Sequence, residues 1–209
     1  MKQACPLCLN TSSTFYKTNK QHFYFCDHCK GIFLDKKQLL DHDEEKGRYY
    51  LHKNHINDQG YLKFADPIIT AVKEYFNPTH KGLDFGAGHT PVISEVLKKD
   101  NFQVEIYDPI FFNNMEVLTK QYDFITSCEV IEHFYNPKKE FTLLHEMLKP
   151  NGKLICMTHI FNGIDFDSWY YKKDPTHVFL YQKDTLKWIK NNFNFQDIYI
   201  NNRLIIFTK

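Results

Sequence analysis

Apolar residues recur at helical spacing in three stretches of the chain, and each stretch opens on a polar residue followed by proline. Ile68, Ile69, Val72 and Phe76 follow Asp66-Pro67; Val92, Ile93, Val96 and Leu97 follow Thr90-Pro91; Phe141, Leu144 and Leu148 follow Asn136-Pro137. The polar side chain can satisfy free amides of a first helical turn, and proline, which has no amide to leave unpaired, fits the first helical position. Three amphipathic helices are expected, the first closed by Asn77-Pro78. Short apolar runs bounded by turn residues, around 83–85, 104–107, 122–130 and 153–158, read as strands buried on both faces. Two last runs, 195–200 and 204–208, flank Asn201-Asn202 and suit an antiparallel hairpin. The alternation predicts an α/β fold with a doubly wound, mostly parallel sheet, which takes ligands at the carboxyl ends of its strands.

The turn after the first strand has the composition of such a site. KGLDFGAGHTP places Asp84, Gly86, Ala87 and Gly88 between that strand and the helix at Thr90-Pro91. Glycines let the chain bend tightly and approach a ligand with bare backbone, and a helix start offers free amides. Asp108, followed by Pro109, ends the next strand, VEIYD, about twenty residues on, where an acid can accept hydrogen bonds from both hydroxyls of a ribose. A nicotinamide dehydrogenase shares these features, but GAGHTP lacks the last glycine of the dinucleotide pattern.

Length and composition narrow the picture. The 209 residues suit one medium domain with a small appendage, and 43% hydrophobic with 16% aromatic residues is enough to build a core. Lys and Arg total 26 against 25 Asp and Glu, so no overall charge drives the chain toward nucleic acid or an anionic membrane. No stretch approaches the roughly 20 apolar residues of a membrane helix, and a cytoplasmic location is expected.

The cysteines agree with a reducing compartment. Cys5 and Cys8, then Cys26 and Cys29, form two C-x-x-C pairs, a spacing that reads as a four-thiolate zinc site. Four thiolates leave no open coordination position, so the zinc (Zn2+) is structural, and in so short a segment its binding free energy is the folding free energy. His22 and His28 are expected as exposed loop residues, and Gly31 as part of a tight turn beside the metal. Cys128 and Cys156 lie in strand-like runs as buried thiols. The chain divides into a zinc-binding module (1–35), a helical connector and lid (36–60) and a main domain (61–209).

From about residue 60 onward the chain resembles the class I S-adenosylmethionine-dependent methyltransferases. LDFGAGHTP is similar to that family's first motif, VEIYDP to its ribose acid, YDFITSCEVIEHF to its fourth-strand motif and LKPNGKLICMT to its fifth strand. The resemblance implies a Rossmann-like sheet of seven strands with a reversed terminal strand, and S-adenosylmethionine as cofactor. It also implies that Gly86, Ala87 and Gly88 line the methionine end, that Asp84 supports it through water, and that Asp108 with Pro109 holds the ribose. Cys128 and Glu129 would border the sulfonium. Thr90 stands where the family usually has a third glycine, and the connection from Asp108 to Asp123 leaves little room for a third strand.

Methyl transfer needs alignment and water exclusion more than it needs a base, yet a histidine or carboxylate can take a proton from a hydroxyl or carbon acid. Glu132, His133, His159, Asp174 and His177 follow the fourth and fifth strands, where the acceptor should lie. Asp174 and His177, in WYYKKDPTHVF, are the favoured catalytic pair and His133 is the next candidate; equally, Asp174-Pro175-Thr176 can be a turn against which His177 packs. Tyr49, His52 and Asn54 in the connector, with Tyr61 just after it, are candidates to close over the cofactor or the substrate; an ordinary solvated helix fits these residues equally well. A small-molecule acceptor is expected, with RNA or protein recognised through the zinc module, or cofactor binding without transfer, as alternatives.

Overall fold

The computed structural model describes residues 2–50 and 58–209. The front of the chain is a small antiparallel sheet of β1 (Lys2–Ala4), β2 (Thr11–Lys17), β3 (His22–Phe25) and β4 (Ile32–Leu34). Helix α1 (His42–Tyr49) follows, then α2 (Gln59–Tyr75), β5 (Lys81–Phe85), α3 (Val92–Lys99), β6 (Gln103–Tyr107) and β7 (Tyr122–Cys128). The chain ends with α4 (Pro137–Glu146), β8 (Leu148–Met157), β9 (Phe179–Leu180), α5 (Lys183–Asn192), β10 (Asp197–Asn201) and β11 (Leu204–Thr208).

The main sheet runs β10-β11-β8-β7-β5-β6; β8, β7, β5 and β6 are parallel and the C-terminal hairpin antiparallel. Alternation along its central strands divides the core. Leu154 and Cys156 of β8, Ile125 of β7, and Ile205 and Phe207 of β11 face Phe141 and Leu144 of α4 and Leu186 and Ile189 of α5. Ile155, Met157, Phe124 and Ile206 face Ile68, Ile69 and Val72 of α2 and Ile93 and Leu97 of α3. This is the doubly wound α/β arrangement expected, with six strands where the resemblance implied seven. Beyond β6 the chain makes a single bridge from Asp108 to Phe112 and a short helical turn at Met115–Thr119, so no third strand adds to that edge.

Two element boundaries depart from expectation. Helix α2 begins at Gln59, capped by Asp58, whose Oδ1 accepts from the amides of Gly60 (2.8 Å) and Tyr61 (3.2 Å). Asp66-Pro67 therefore lies inside the helix. Proline there forfeits one hydrogen bond, but it faces solvent while Tyr61, Phe64 and Ala65 carry the apolar stripe one turn further back. The hairpin loop is Asn202-Arg203, with Asn201 paired to Leu204, and Asn202 takes the left-handed conformation (φ 50°) that asparagine tolerates.

The two cysteine pairs sit in matching turns. Leu9 donates to the Cys5 carbonyl (2.9 Å) and Lys30 to that of Cys26 (2.8 Å), and Leu9 and Lys30 both have positive φ (65° and 60°). Gly31 is thus not the bent residue. A Cβ there would lie 2.4 Å from Cζ of Phe179, so its bareness admits a ring from the main domain. Strand β9 pairs with β4 (Ile32 with Leu180, Phe33 with Phe179), and the Phe33 and Phe179 rings stack at 6.2 Å. The small sheet therefore borrows its fifth strand from the main domain, and Cys5, Cys26 and Cys29 join the core shared by α4 and α5. His22 is buried in β3 rather than exposed, with Asp35 at 3.1 Å and Thr14 at 3.0 Å, whereas His28 is exposed.

Candidate active site

A cleft of about 990 Å³ opens at the carboxyl ends of β5, β6 and β7. Gly86, Ala87 and Gly88 form one stretch of its wall. Gly86 has φ 78°, and a Cβ there would meet both methyls of Val130 at 2.4 and 2.6 Å, so both conformation and space demand glycine. Gly88, also at positive φ (64°), donates its amide to Asp108 Oδ2 (3.0 Å). The other oxygen, Oδ1, accepts from the amides of Ile110 (2.9 Å) and Phe111 (3.0 Å). Three amides thus fix the Asp108 carboxylate as an acceptor at the cleft wall beside Pro109, and of its roughly four acceptor positions one, on Oδ2, is left for a hydroxyl donor. Tyr107, Ile110, Phe111 and Phe134 give this end its apolar surface.

Asp84 is placed otherwise. It is buried behind the wall, where Oδ1 accepts from the Thr126 hydroxyl (2.9 Å) and Oδ2 from the Ser94 amide (3.3 Å). Burial, only partly offset by these donors, pushes its carboxyl up to about 6. Its direct contacts tie the glycine turn to β7 and to the start of α3.

Cys128 and Glu129 reach the cleft from the end of β7. Glu129 holds a left-handed backbone conformation (φ 53°), a strained one for a side-chain-bearing residue, secured by its amide bond to Met157 O (2.8 Å). Its carboxylate pairs with Arg203 Nη2 at 2.6 Å, and the Arg203 guanidinium lies over the Phe64 ring (4.6 Å). Arg203 is a cleft residue the sequence did not reveal, because it sits on a hairpin loop whose tip is placed only by the pairing of β11 with β8.

The opposite wall comes from the connector. Asp41 caps α1 through the amides of Asp43 and Glu44, and Glu44 returns the bond to the Asp41 amide (3.1 Å). The helix so fixed presents His42, Glu45, Arg48 and Tyr49 to the cleft, and α2 adds Tyr61 and Phe64. His52 and Asn54 lie outside the described residues.

At the far end the cleft is polar. His133 and His177 lie with ring centroids 4.9 Å apart, and the His177 ring is 4.1 Å from that of Tyr171. Nδ1 of His133 is 2.9 Å from Thr176 O and Nδ1 of His177 is 2.7 Å from Tyr171 O. A carbonyl only accepts, so each Nδ1 carries the proton and, in the neutral ring, Nε2 bears the lone pair. Asp174 makes a turn, with Oδ1 accepting from the Thr176 amide (3.0 Å) and hydroxyl (2.6 Å), while Oδ2 pairs with Arg48 (2.9 Å). Burial alone would raise its carboxyl, but these donors and Arg48 hold it down at about 2. Glu132 lies fully buried beside this floor, and the Tyr171 hydroxyl donates to its Oε1. His159 is turned away, its Nε2 2.5 Å from the Tyr170 hydroxyl, and does not line the cleft.

The four cysteine sulfurs lie within 4.8 Å of one another, with Cys5–Cys29 at 3.5 Å and Cys8–Cys26 at 3.3 Å. Sulfurs about 2.3 Å from a tetrahedral ion stand roughly 3.8 Å apart, so the cluster fits zinc with little adjustment.

Fold and cleft together define an α/β protein of the class I methyltransferase type. A methyltransferase-domain family model matches residues 53–200, and the chain belongs to that family. A second model, described as a transcription factor zinc-finger, matches residues 4–42. No curated protein matches the chain by sequence. Among solved structures it is similar to a SAM-dependent methyltransferase from Archaeoglobus fulgidus (17% identity, TM-score 0.53, 73% of this chain and 100% of that one). It is also similar to a 1,6-didemethyltoxoflavin-N1-methyltransferase from Burkholderia thailandensis with bound 1,6-didemethyltoxoflavin and S-adenosylhomocysteine (12% identity, TM-score 0.51, 94% and 97%). A third, an O-methyltransferase family protein from Burkholderia thailandensis (12% identity, TM-score 0.52), shares 70% of this chain, which spans about half (56%) of that protein's length. At these identities the likeness is one of fold. None of the described helices is long and apolar enough to cross a membrane.

Proposed function

We propose that the chain binds S-adenosylmethionine in this cleft and transfers its methyl group to a small molecule held at the histidine end. The observation that carries the reading is the cleft's two-ended chemistry. One end pairs a bare glycine backbone with an amide-fixed carboxylate, and the other gathers imidazoles and phenols. In this reading Asp108 holds the ribose by accepting from a hydroxyl, Pro109 lies against the sugar, and Gly86, Ala87 and Gly88 let the cofactor lie on the backbone. Cys128, Glu129 and Tyr61 flank its methionine portion, and Asp84 acts by holding the glycine turn in place.

The cofactor supplies a methyl group already activated on a sulfonium; the protein's part is to align the acceptor and exclude water. His177 and His133, each with its lone pair on Nε2, are suited to take a proton from a hydroxyl acceptor. Asp174, fixed as a carboxylate of weak basicity, sets the turn that carries His177. The small molecule bound in the 1,6-didemethyltoxoflavin-N1-methyltransferase supports that acceptor class. Cys5, Cys8, Cys26 and Cys29 hold a structural zinc.

Tritium transfer from labelled S-adenosylmethionine into separated metabolite, RNA and protein fractions tests the reading. Label in the metabolite fraction is expected. Label in RNA or protein alone would move the acceptor to the zinc module's side, and failure to bind S-adenosylhomocysteine would refute the cofactor assignment.

A further inference from the structure

Beyond the four-cysteine cluster, Glu132, His133 and His177 each bring a ligand atom within 4.8 Å of the other two. Three observations argue that this grouping is more than packing. First, both imidazoles are tautomerically fixed by Nδ1 bonds to backbone carbonyls, Thr176 O and Tyr171 O, which directs the lone pair to Nε2. Metal-ligating histidines are oriented by bonds of this kind from the other ring nitrogen. Second, Glu132 is 0% exposed, and among the described residues its Oε2 has no hydrogen-bond partner and no cation pairs with it. A carboxyl withdrawn from water in that state either takes up a proton or is joined by a positive ion, and with two imidazole lone pairs beside it the second is open to it. Third, the neighbouring cations are already engaged, Arg203 with Glu129 and Arg48 with Asp174, so neither is committed to Glu132.

We propose that Glu132, His133 and His177 form a second, non-thiolate site for a divalent transition metal at the acceptor end of the cleft, where it holds an oxygen of the substrate. Two imidazoles and one carboxylate suit zinc, manganese, iron or cobalt, and three protein ligands leave coordination positions open. His133 and His177 line the cleft while Glu132 is buried beside them, so the open positions face the cavity. An ion so placed takes up the Nε2 lone pairs, so the imidazoles then act as ligands and not as bases; the ion itself lowers the pKa of a bound hydroxyl, which makes acceptors with phenolic, enolic or vicinal hydroxyls the chemical class the site would take. This deepens the methyl-transfer reading and rests on it for the acceptor, but metal binding can be measured without any turnover.

The test is titration of the full, zinc-loaded chain with cobalt(II), followed by visible absorption and metal analysis, with S-adenosylhomocysteine affinity measured on the same samples. One equivalent of cobalt bound with weak visible bands and no thiolate charge-transfer absorption is expected, with affinity at least tenfold lower in H177A and E132Q. H177Q serves as the second variant should alanine unfold the loop, and retained S-adenosylhomocysteine binding certifies that the fold and cofactor end are intact. The proposal is overturned if the zinc-loaded chain takes up no cobalt, if cobalt enters only with thiolate charge transfer, or if binding is indifferent to all three substitutions. Loss of S-adenosylhomocysteine binding in the unaltered chain would instead overturn the cofactor assignment.

Discussion

Replacing Asp84 by asparagine should make the protein relatively more stable as pH rises. The folded chain holds this carboxyl at about 6 against an ordinary value of 3.8, chiefly through burial behind the glycine turn. Because the folded value is raised, the stability associated with the protonated form is complete below about 3.8 and is lost as pH climbs through 6. Integrated between about pH 5 and pH 8, the wild-type chain loses roughly 1.5 kcal/mol that asparagine, which does not titrate, retains. Asparagine alters the bonds to Thr126 and Ser94, so the informative quantity is the slope of the difference and not its value at one pH. Urea unfolding of both proteins across this range supplies it. Both carry the same zinc site, so the proton dependence of zinc binding cancels. A difference that stays flat from pH 5 to pH 8 would refute the claim that Asp84 is destabilised by burial.

Three further outcomes are expected. Asp108→Asn should weaken S-adenosylhomocysteine binding about ten- to hundredfold by calorimetry, the range of hydrogen bonds to a charged acceptor; unchanged affinity would detach the ribose from this residue. Gly86→Ala should cost about 2–4 kcal/mol in denaturation, because the added methyl meets Val130 at 2.4 Å at a positive φ, and a stability loss under 1 kcal/mol would show that the turn can yield. Cys26→Ser should abolish stoichiometric zinc by metal analysis and loosen amide protection at 178–181, where β9 joins the ribbon; protection unchanged there would mean the shared strand stands without the metal.

The features legible in the sequence were those set by local rules. The cap-and-proline pair placed α4, whereas at α3 the pair marked only the neighbourhood of the start, since Pro91 is itself the cap residue and no side chain caps the helix; continuous apolar runs placed the central strands, and the C-x-x-C spacing named four residues that converge in space. The same rule misplaced the start of α2, since an exposed proline can sit inside a helix whose packing stripe continues past it. Gly31 was misread because a bare residue admits either a bend or a neighbour, and the neighbour, Phe179, lies far away along the chain. Arg203 went unseen for a similar reason: a loop arginine carries no local mark of the carboxylate it will meet. The missing edge strand was foreshadowed by the short span from Asp108 to Asp123, and the chain spends it on a bridge and one helical turn.

The strand that completes the ribbon's sheet begins two residues after His177, and Gln182 just beyond it donates to the carbonyl of Lys30 beside the second cysteine pair (2.7 Å). The N-terminal tip is therefore a clamp on the loop that carries His177 as much as an appendage. Stripping the zinc would be felt first at residues 178–182, which are sewn to the ribbon, and only later at Asp108 and the glycine turn, which are not.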